Sequence, residues 1–297
     1  MEQNNTPPLS EFLPQQNPHR YASPGECIYC GSREKLFEEH IIPYALGGKV
    51  VFEDSSCATC AKETSKFELT CMRTMYGPLR LLYDMPTRRP KKRPKKLPLK
   101  VKYTPDQKAW DIALVEQERY PFLVTFPQFE APGIIAGKKI HESGGPATRK
   151  LWIRGACPYS SFDQLLPKLL KDLNACAAFP NSKADVPAFC RLICKIAHSY
   201  AYAELGNNLE WYLPPIIKEG ALDNCMHFIG SVNNSEPPGD DLHNLDIVQF
   251  GNSNAVLVRV RLLSKLGTPS YFVAVGEYRQ ANKAIQADPL RSADRLR

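Results

Sequence analysis

Two Cys-x-x-Cys pairs, Cys27/Cys30 and Cys57/Cys60, stand 26 residues apart in a chain of 297 residues. Thiolates at this spacing on two separate segments close a tetrahedral shell around zinc, and a shell of four cysteines leaves no open position for chemistry. The pairs therefore predict a structural Zn2+ site and a local fold pinned by it. Residues 31 to 56 are long enough for a hairpin, and any chemistry of the region has to lie there. That hairpin would display the acid-histidine pair Glu39-His40.

The other cysteines are scattered through apolar sequence, as buried thiols usually are, so the ten in total do not read as a disulfide framework. No stretch approaches the ~20 apolar residues needed to cross a bilayer. The first 24 residues are polar and proline-rich, without the apolar segment of a signal peptide. Together these features predict a cytoplasmic protein with no membrane partner.

Net charge is +7, and the run Arg88 to Lys100 alone supplies eight positive charges and no negative ones. Without it, 30 basic residues face 31 acidic ones, so the basicity is one local device. A concentrated run attracts polyanions through counterion release, which makes Arg88, Arg89, Lys91, Lys92, Arg93, Lys95 and Lys96 candidates for backbone phosphate contact. Pro90, Pro94 and Pro98 keep the run extended, so it can track a nucleic-acid backbone but cannot form a recognition helix.

The chain divides by composition into a disordered lead (1–24), a cysteine-bracketed module (25–86), a basic proline-rich linker (87–100) and a larger mixed α+β domain (101–297). Within the last, short strands are predicted at 99–103, 110–115, 122–126, 150–154, 226–229, 255–263 and 270–275, the last two pairing across Gly267-Thr268-Pro269. Helices are predicted over 162–176 and 186–205, the second with Pro187 in its first turn and Gly206 as its stop. Cys190, Cys194 and His198 share one side of that helix and read as core packing, as does Cys71. His141-Glu142 has no cysteine bracket and reads as loop.

Cys27-Ile28-Tyr29-Cys30-Gly31, Glu39-His40-Ile41-Ile42-Pro43, Leu46-Gly47-Gly48 and Cys57-x-x-Cys60 together resemble the zinc-containing branch of the HNH endonucleases, over residues 25 to 72. The resemblance implies a small zinc-stapled ββα-metal module, with the second cysteine pair opening a helix through about Met72. It implies hydrolysis of a phosphodiester, with His40 as general base and Glu39 holding a catalytic Mg2+ or Mn2+. It also implies a nucleic-acid substrate, DNA favoured over RNA, and fits a setting in bacterial mobile-element or antiviral defence systems, with a regulatory protein partner as a natural restraint.

The sequence departs from the family pattern at two places. Many members place an Asn before the second cysteine pair and an Asn or His just after it. Here no Asn or His occurs between His40 and His141, and position 61 is alanine. Asp54 is the candidate to orient His40. Glu68 is the candidate for a displaced metal ligand, because it lies seven positions beyond Ala61 on the same helix face, whereas Glu63 is turned about 160° away. Two alternatives stay open at this point: a zinc-stapled nucleic-acid-binding protein that has lost cleavage, and an RNA nuclease or regulator.

Overall fold

The computed structural model describes residues 18–121, 124–146, 152–156, 161–180, 184–231, 236–250 and 254–279. It opens with β1 (His19–Tyr21), β2 (Leu36–His40), β3 (Val50–Cys57) and α1 (Ala58–Thr74). β2 and β3 pair antiparallel, setting Glu39 opposite Phe52 and His40 opposite Val51. β1 adds to the other edge of β3 in parallel, with His19 opposite Val50. This strand corrects the expectation that all of 1–24 lacks structure; residues 1–17 lie outside the described residues.

The connection from β2 to β3 is more elaborate than a hairpin turn. Residues Tyr44–Leu46 form a 3-10 turn that Gly47 ends at φ 83°, a left-handed conformation that glycine adopts without steric cost. At Gly48, an added Cβ would meet the carbonyl oxygen of Ile42 at 2.0 Å, so only glycine lets the two segments cross so closely. α1 then buries Cys60, Thr64, Phe67 and Cys71, a stripe at helical spacing.

The chain continues through α2 (Gly77–Leu82), β4 (Lys96–Lys102), β5 (Asp111–Glu116), β6 (Val124–Gln128), α3 (Ile140–Ser143), β7 (Trp152–Ala156), α4 (Ser161–Asp172) and β8 (Ala177–Pro180). β4 is the centre of an antiparallel sheet between β5 and β8, and β6 pairs with β7. The second half of the basic run is thus a strand and not a linker. Its alternation explains why: Leu97, Leu99 and Val101 are buried, while Lys96, Pro98 and Lys100 take the other face. The dipeptide His141-Glu142, expected in a loop, belongs to the short α3, where the Glu142 carboxylate accepts from the Lys139 N–H at 2.8 Å.

The final third contains α5 (Val186–Leu205), β9 (Leu209–Trp211), α6 (Pro214–Glu219), β10 (Ile229–Ser231), β11 (His243–Gln249), β12 (Ala255–Leu262) and β13 (Tyr271–Tyr278). β11, β12 and β13 pair antiparallel in that order, and β10 and β9 share the outer edge of β13. The strand expected at 226–229 begins only at Ile229, because Cys225–His227 form a 3-10 turn. Local chemistry sets the bounds of α5. The Asp185 side chain accepts from the Ala188 N–H at 2.9 Å, Pro187 occupies the first turn, and Gly206 at φ 62° ends the helix.

α5 is buried along nearly its whole length, between the five-stranded sheet on one side and α1 on the other. Phe189 packs edge-on to Tyr271 of β13 with ring centroids 5.0 Å apart, while Arg191 lies over the Phe67 ring of α1 at 4.6 Å. One hydrophobic cluster runs from Cys27 in the first unit to Val275 in β13. The ββα unit therefore shares one apolar cluster with β4, α5 and the sheet of β11 to β13 among the described residues.

Candidate active site and zinc knuckle

The first cysteine pair sits in a tight turn. The Gly31 N–H donates to the Cys27 carbonyl at 2.8 Å, and Gly31 takes φ 73°. The second pair straddles the end of β3 and the first turn of α1, with Cys57 as the residue before the helix. The sulfur atoms of Cys27, Cys30, Cys57 and Cys60 all lie within 4.8 Å of one another, and those of Cys30 and Cys57 are 3.6 Å apart. Ligands about 2.3 Å from a tetrahedral zinc stand about 3.8 Å from each other, so this donor set fits structural zinc. A hydrogen bond from Cys60 draws the Cys27 thiol down to about 4, the ionised form that zinc takes, and raises Cys60 in turn.

The knuckle leans on α5. His198 Nε2 donates to the Ile28 carbonyl at 2.7 Å, the Tyr29 hydroxyl hydrogen-bonds Ser199 Oγ at 2.9 Å, and the Tyr202 hydroxyl donates to Glu26 at 3.0 Å. Burial holds His198 down at about 4, so it is neutral here. Cys190 and Cys194, on the same helix, are fully buried in the core.

His40 ends β2 and is half-buried, its ring 5.6 Å from that of Tyr44. Burial lowers its pKa, and the positive charges of Lys195 and Arg88 lower it further. It is therefore a neutral imidazole near neutral pH, and Arg88 lies close enough to act on it. Its Nδ1 is buried and has no hydrogen-bond partner among the described residues. Asp54 does not supply one. Val51 is the residue opposite His40, so Asp54 is three positions further along β3, about 10 Å away. There it occupies an exposed bulge at φ 39°. The Asp54 expectation thus fails because the strand register sends that carboxylate away from the histidine.

Glu39 points the other way, into the protein, and is 7% exposed. Its carboxylate meets the ammonium of Lys195, from the middle of α5, at 2.7 Å, and Glu68 of α1 meets the same nitrogen at 2.9 Å. Lys195 also donates to the carbonyls of His40 and Ile41, the latter at 3.3 Å. Burial alone would depress the lysine, but the two carboxylates outweigh it and hold its pKa above the ordinary value. Two carboxylates around one ammonium leave an excess negative charge, and burial pushes the more enclosed Glu39 upward. Glu39 and Glu68 are thus brought together, but around a lysine. A divalent ion bridging the same oxygens would sit against a fixed positive charge, so the residues do not fit the resident catalytic metal expected at Glu39.

Lys195 escaped the sequence reading because one lysine in an apolar helix looks like a surface residue. The available signal was the polar stripe Arg191, Lys195, His198, Ser199 and Tyr202, spaced along one helix face.

The basic run begins beside this site. Arg93 is already paired with Asp84, and Lys96 with Glu116 at 3.1 Å. Arg88, Arg89, Lys91, Lys92 and Lys95 are exposed, and none has an ion pair among the described residues.

A four-cysteine knuckle that fits zinc, a strand pair ending in an acid-histidine dipeptide and a helix opened by the second cysteine pair define a ββα unit. Residues 27–69 match the family model described as HNH endonuclease, and this stretch of the chain is an HNH endonuclease domain. No curated protein and no solved structure matches the chain. Among the described residues, no helix is long and apolar enough to cross a membrane.

Proposed function

We propose that the chain hydrolyses phosphodiester bonds of nucleic acid, with DNA as the favoured substrate and His40 as the general base. The observation that carries this reading is the placement of a neutral, half-buried His40 at the end of the HNH hairpin, next to Arg88 and the free cations that follow it. Arg88, Arg89, Lys91, Lys92 and Lys95 hold the backbone by charge, which brings a phosphate to the imidazole. Water bonds to phosphorus as His40 takes its proton, and the 3′ oxygen leaves and is protonated from solvent. Glu39 and Glu68 take no part as metal ligands in this scheme, because both are committed to Lys195.

A second reading is favoured by the Nδ1 of His40, for which no described residue supplies the hydrogen bond that would orient a base: a zinc-pinned nucleic-acid-binding protein without cleavage. Zinc-loaded protein incubated with supercoiled plasmid separates the two, with Mg2+, with Mn2+ and with no added divalent ion. Nicking that His40→Ala abolishes supports hydrolysis. Retarded migration without nicking in all three conditions selects the second reading.

A further inference from the structure

Glu39 and Glu68 come from a strand and a helix of the HNH unit, and their carboxylates meet at one ammonium. Such a pair attracts a cation. The one it holds belongs to the protein: Lys195 Nζ is 2.7 Å from Glu39 and 2.9 Å from Glu68, and the lysine is completely buried. With the carbonyls of His40 and Ile41, which accept hydrogen bonds from it, four oxygens surround the Lys195 ammonium. An ammonium has no lone pair with which to join a metal shell. Lys195 is also not on a mobile arm. It sits in the tenth position of a 20-residue helix buried between the sheet and α1, anchored one turn earlier by Arg191 to the Ile217 carbonyl and one turn later by His198 to Ile28. Withdrawing Lys195 would mean displacing the helix around which the core is built.

We propose that Lys195 is the resident cation of this HNH centre: it takes the place of a divalent ion between Glu39 and Glu68, and through the His40 carbonyl it fixes the backbone that presents the imidazole. Lys195 is a positioning residue, since it is buried and does not reach substrate. The proposal rests on the reading of the hairpin as the HNH centre. It stands or falls on metal binding, so a protein that never cuts nucleic acid would still test it.

The experiment uses full-length zinc-loaded protein and Mn2+ followed by electron paramagnetic resonance. Wild type is expected to leave the signal of free Mn2+ undiminished at millimolar metal. Lys195→Met, which keeps the length of the side chain without its charge, is expected to bind Mn2+ at least about tenfold more tightly, because two unpaired carboxylates then face each other. Adding Glu39→Gln and Glu68→Gln to that variant should abolish the gain. A wild-type Mn2+ site that Glu39→Gln removes would overturn the proposal, as would a well-folded Lys195→Met with no gained site.

A second measurement on wild type keeps the test decisive if Lys195→Met does not fold. A buried ammonium hydrogen-bonded to backbone carbonyls exchanges its protons slowly and gives a resolved nitrogen-15 correlation. That signal should persist unbroadened in excess Mn2+. Its broadening at stoichiometric Mn2+ would place the ion beside Lys195 and refute the substitution of one cation for the other.

Discussion

His198 Nε2 lies 2.7 Å from the carbonyl oxygen of Ile28, so the helix at the centre of the molecule holds the zinc knuckle directly. The same imidazole packs edge-on against Trp211 of β9, with ring centroids 4.7 Å apart. Zinc held by the four cysteines would therefore be linked through two contacts to the five-stranded sheet. Removing zinc with a chelator should red-shift the emission of Trp211, read in a chain with Trp110→Phe and Trp152→Phe. An unchanged spectrum in zinc-free protein would show that the knuckle unfolds alone.

His243 makes a comparable link from the other side. Its Nε2 donates to the Leu46 carbonyl at 2.9 Å, and its Nδ1 accepts from the Leu263 N–H at 3.1 Å, which only the neutral ring can do. Burial holds its pKa at about 4 against 6.5 when free. The unfolded chain then binds the extra proton first, so stability is complete above about pH 6.5 and falls as pH drops toward 4. The loss is roughly 3 kcal/mol at most, from about 1.4 kcal/mol per pH unit. Urea melts from pH 7.5 to 5 should show a shallower decline for His243→Gln than for wild type.

The depressed pKa of His40 has a kinetic counterpart. A base works deprotonated, so cleavage should rise with pH to a plateau, with the midpoint of the rise below the 6.5 of a free histidine. Removing the positive charge of Arg88 by Arg88→Gln should shift that plateau to higher pH, as seen in initial nicking rates across pH 5 to 8.

The Glu39–Lys195–Glu68 cluster makes a stability prediction with an internal control. Truncating Lys195 to Ala leaves two carboxylates without their cation and should cost about 3–5 kcal/mol, the usual penalty for breaking a buried ion pair. Converting the acids as well, in Lys195→Met with Glu39→Gln and Glu68→Gln, should recover much of that loss. Strictly additive losses in denaturant melts would mean that the three groups do not act together.

The free cations set the salt dependence of binding. Each phosphate contact contributes a slope of about −0.9 in log affinity against log salt on duplex DNA. Substituting Arg88, Arg89, Lys91, Lys92 and Lys95 by Gln should flatten the slope stepwise. Lys96→Gln should change it little, because Lys96 already pairs with Glu116.

Where short-range chemistry decides an element, the sequence predicted it well. α5 spans 186–205 as its capping aspartate, first-turn proline and terminal glycine require, and β12 and β13 pair as their alternation suggests. The knuckle was legible because metal-ligand spacing is itself a short-range rule. Long-range pairings were not. β1 is three residues whose partner lies about thirty residues on, and nothing in His19-Arg20-Tyr21 announces a parallel strand. Lys195 meets Glu39 across more than 150 residues of chain. The strand within the basic run was visible in the alternation of Leu97, Leu99 and Val101, but the density of charge masks that period.

The placement of α5 bears on how this HNH unit can be inherited and engineered. Units pinned by their own metal are often treated as portable cassettes, moved between proteins with their linkers. Here the cation between Glu39 and Glu68, the ring on Ile28 and the apolar wall behind α1 are all supplied from residues 186–205. A transplant cut at residue 86 would carry the cysteines and His40 but leave a bare acidic pair and an uncovered face. The smallest graft that preserves the centre has to include α5 and the sheet behind it.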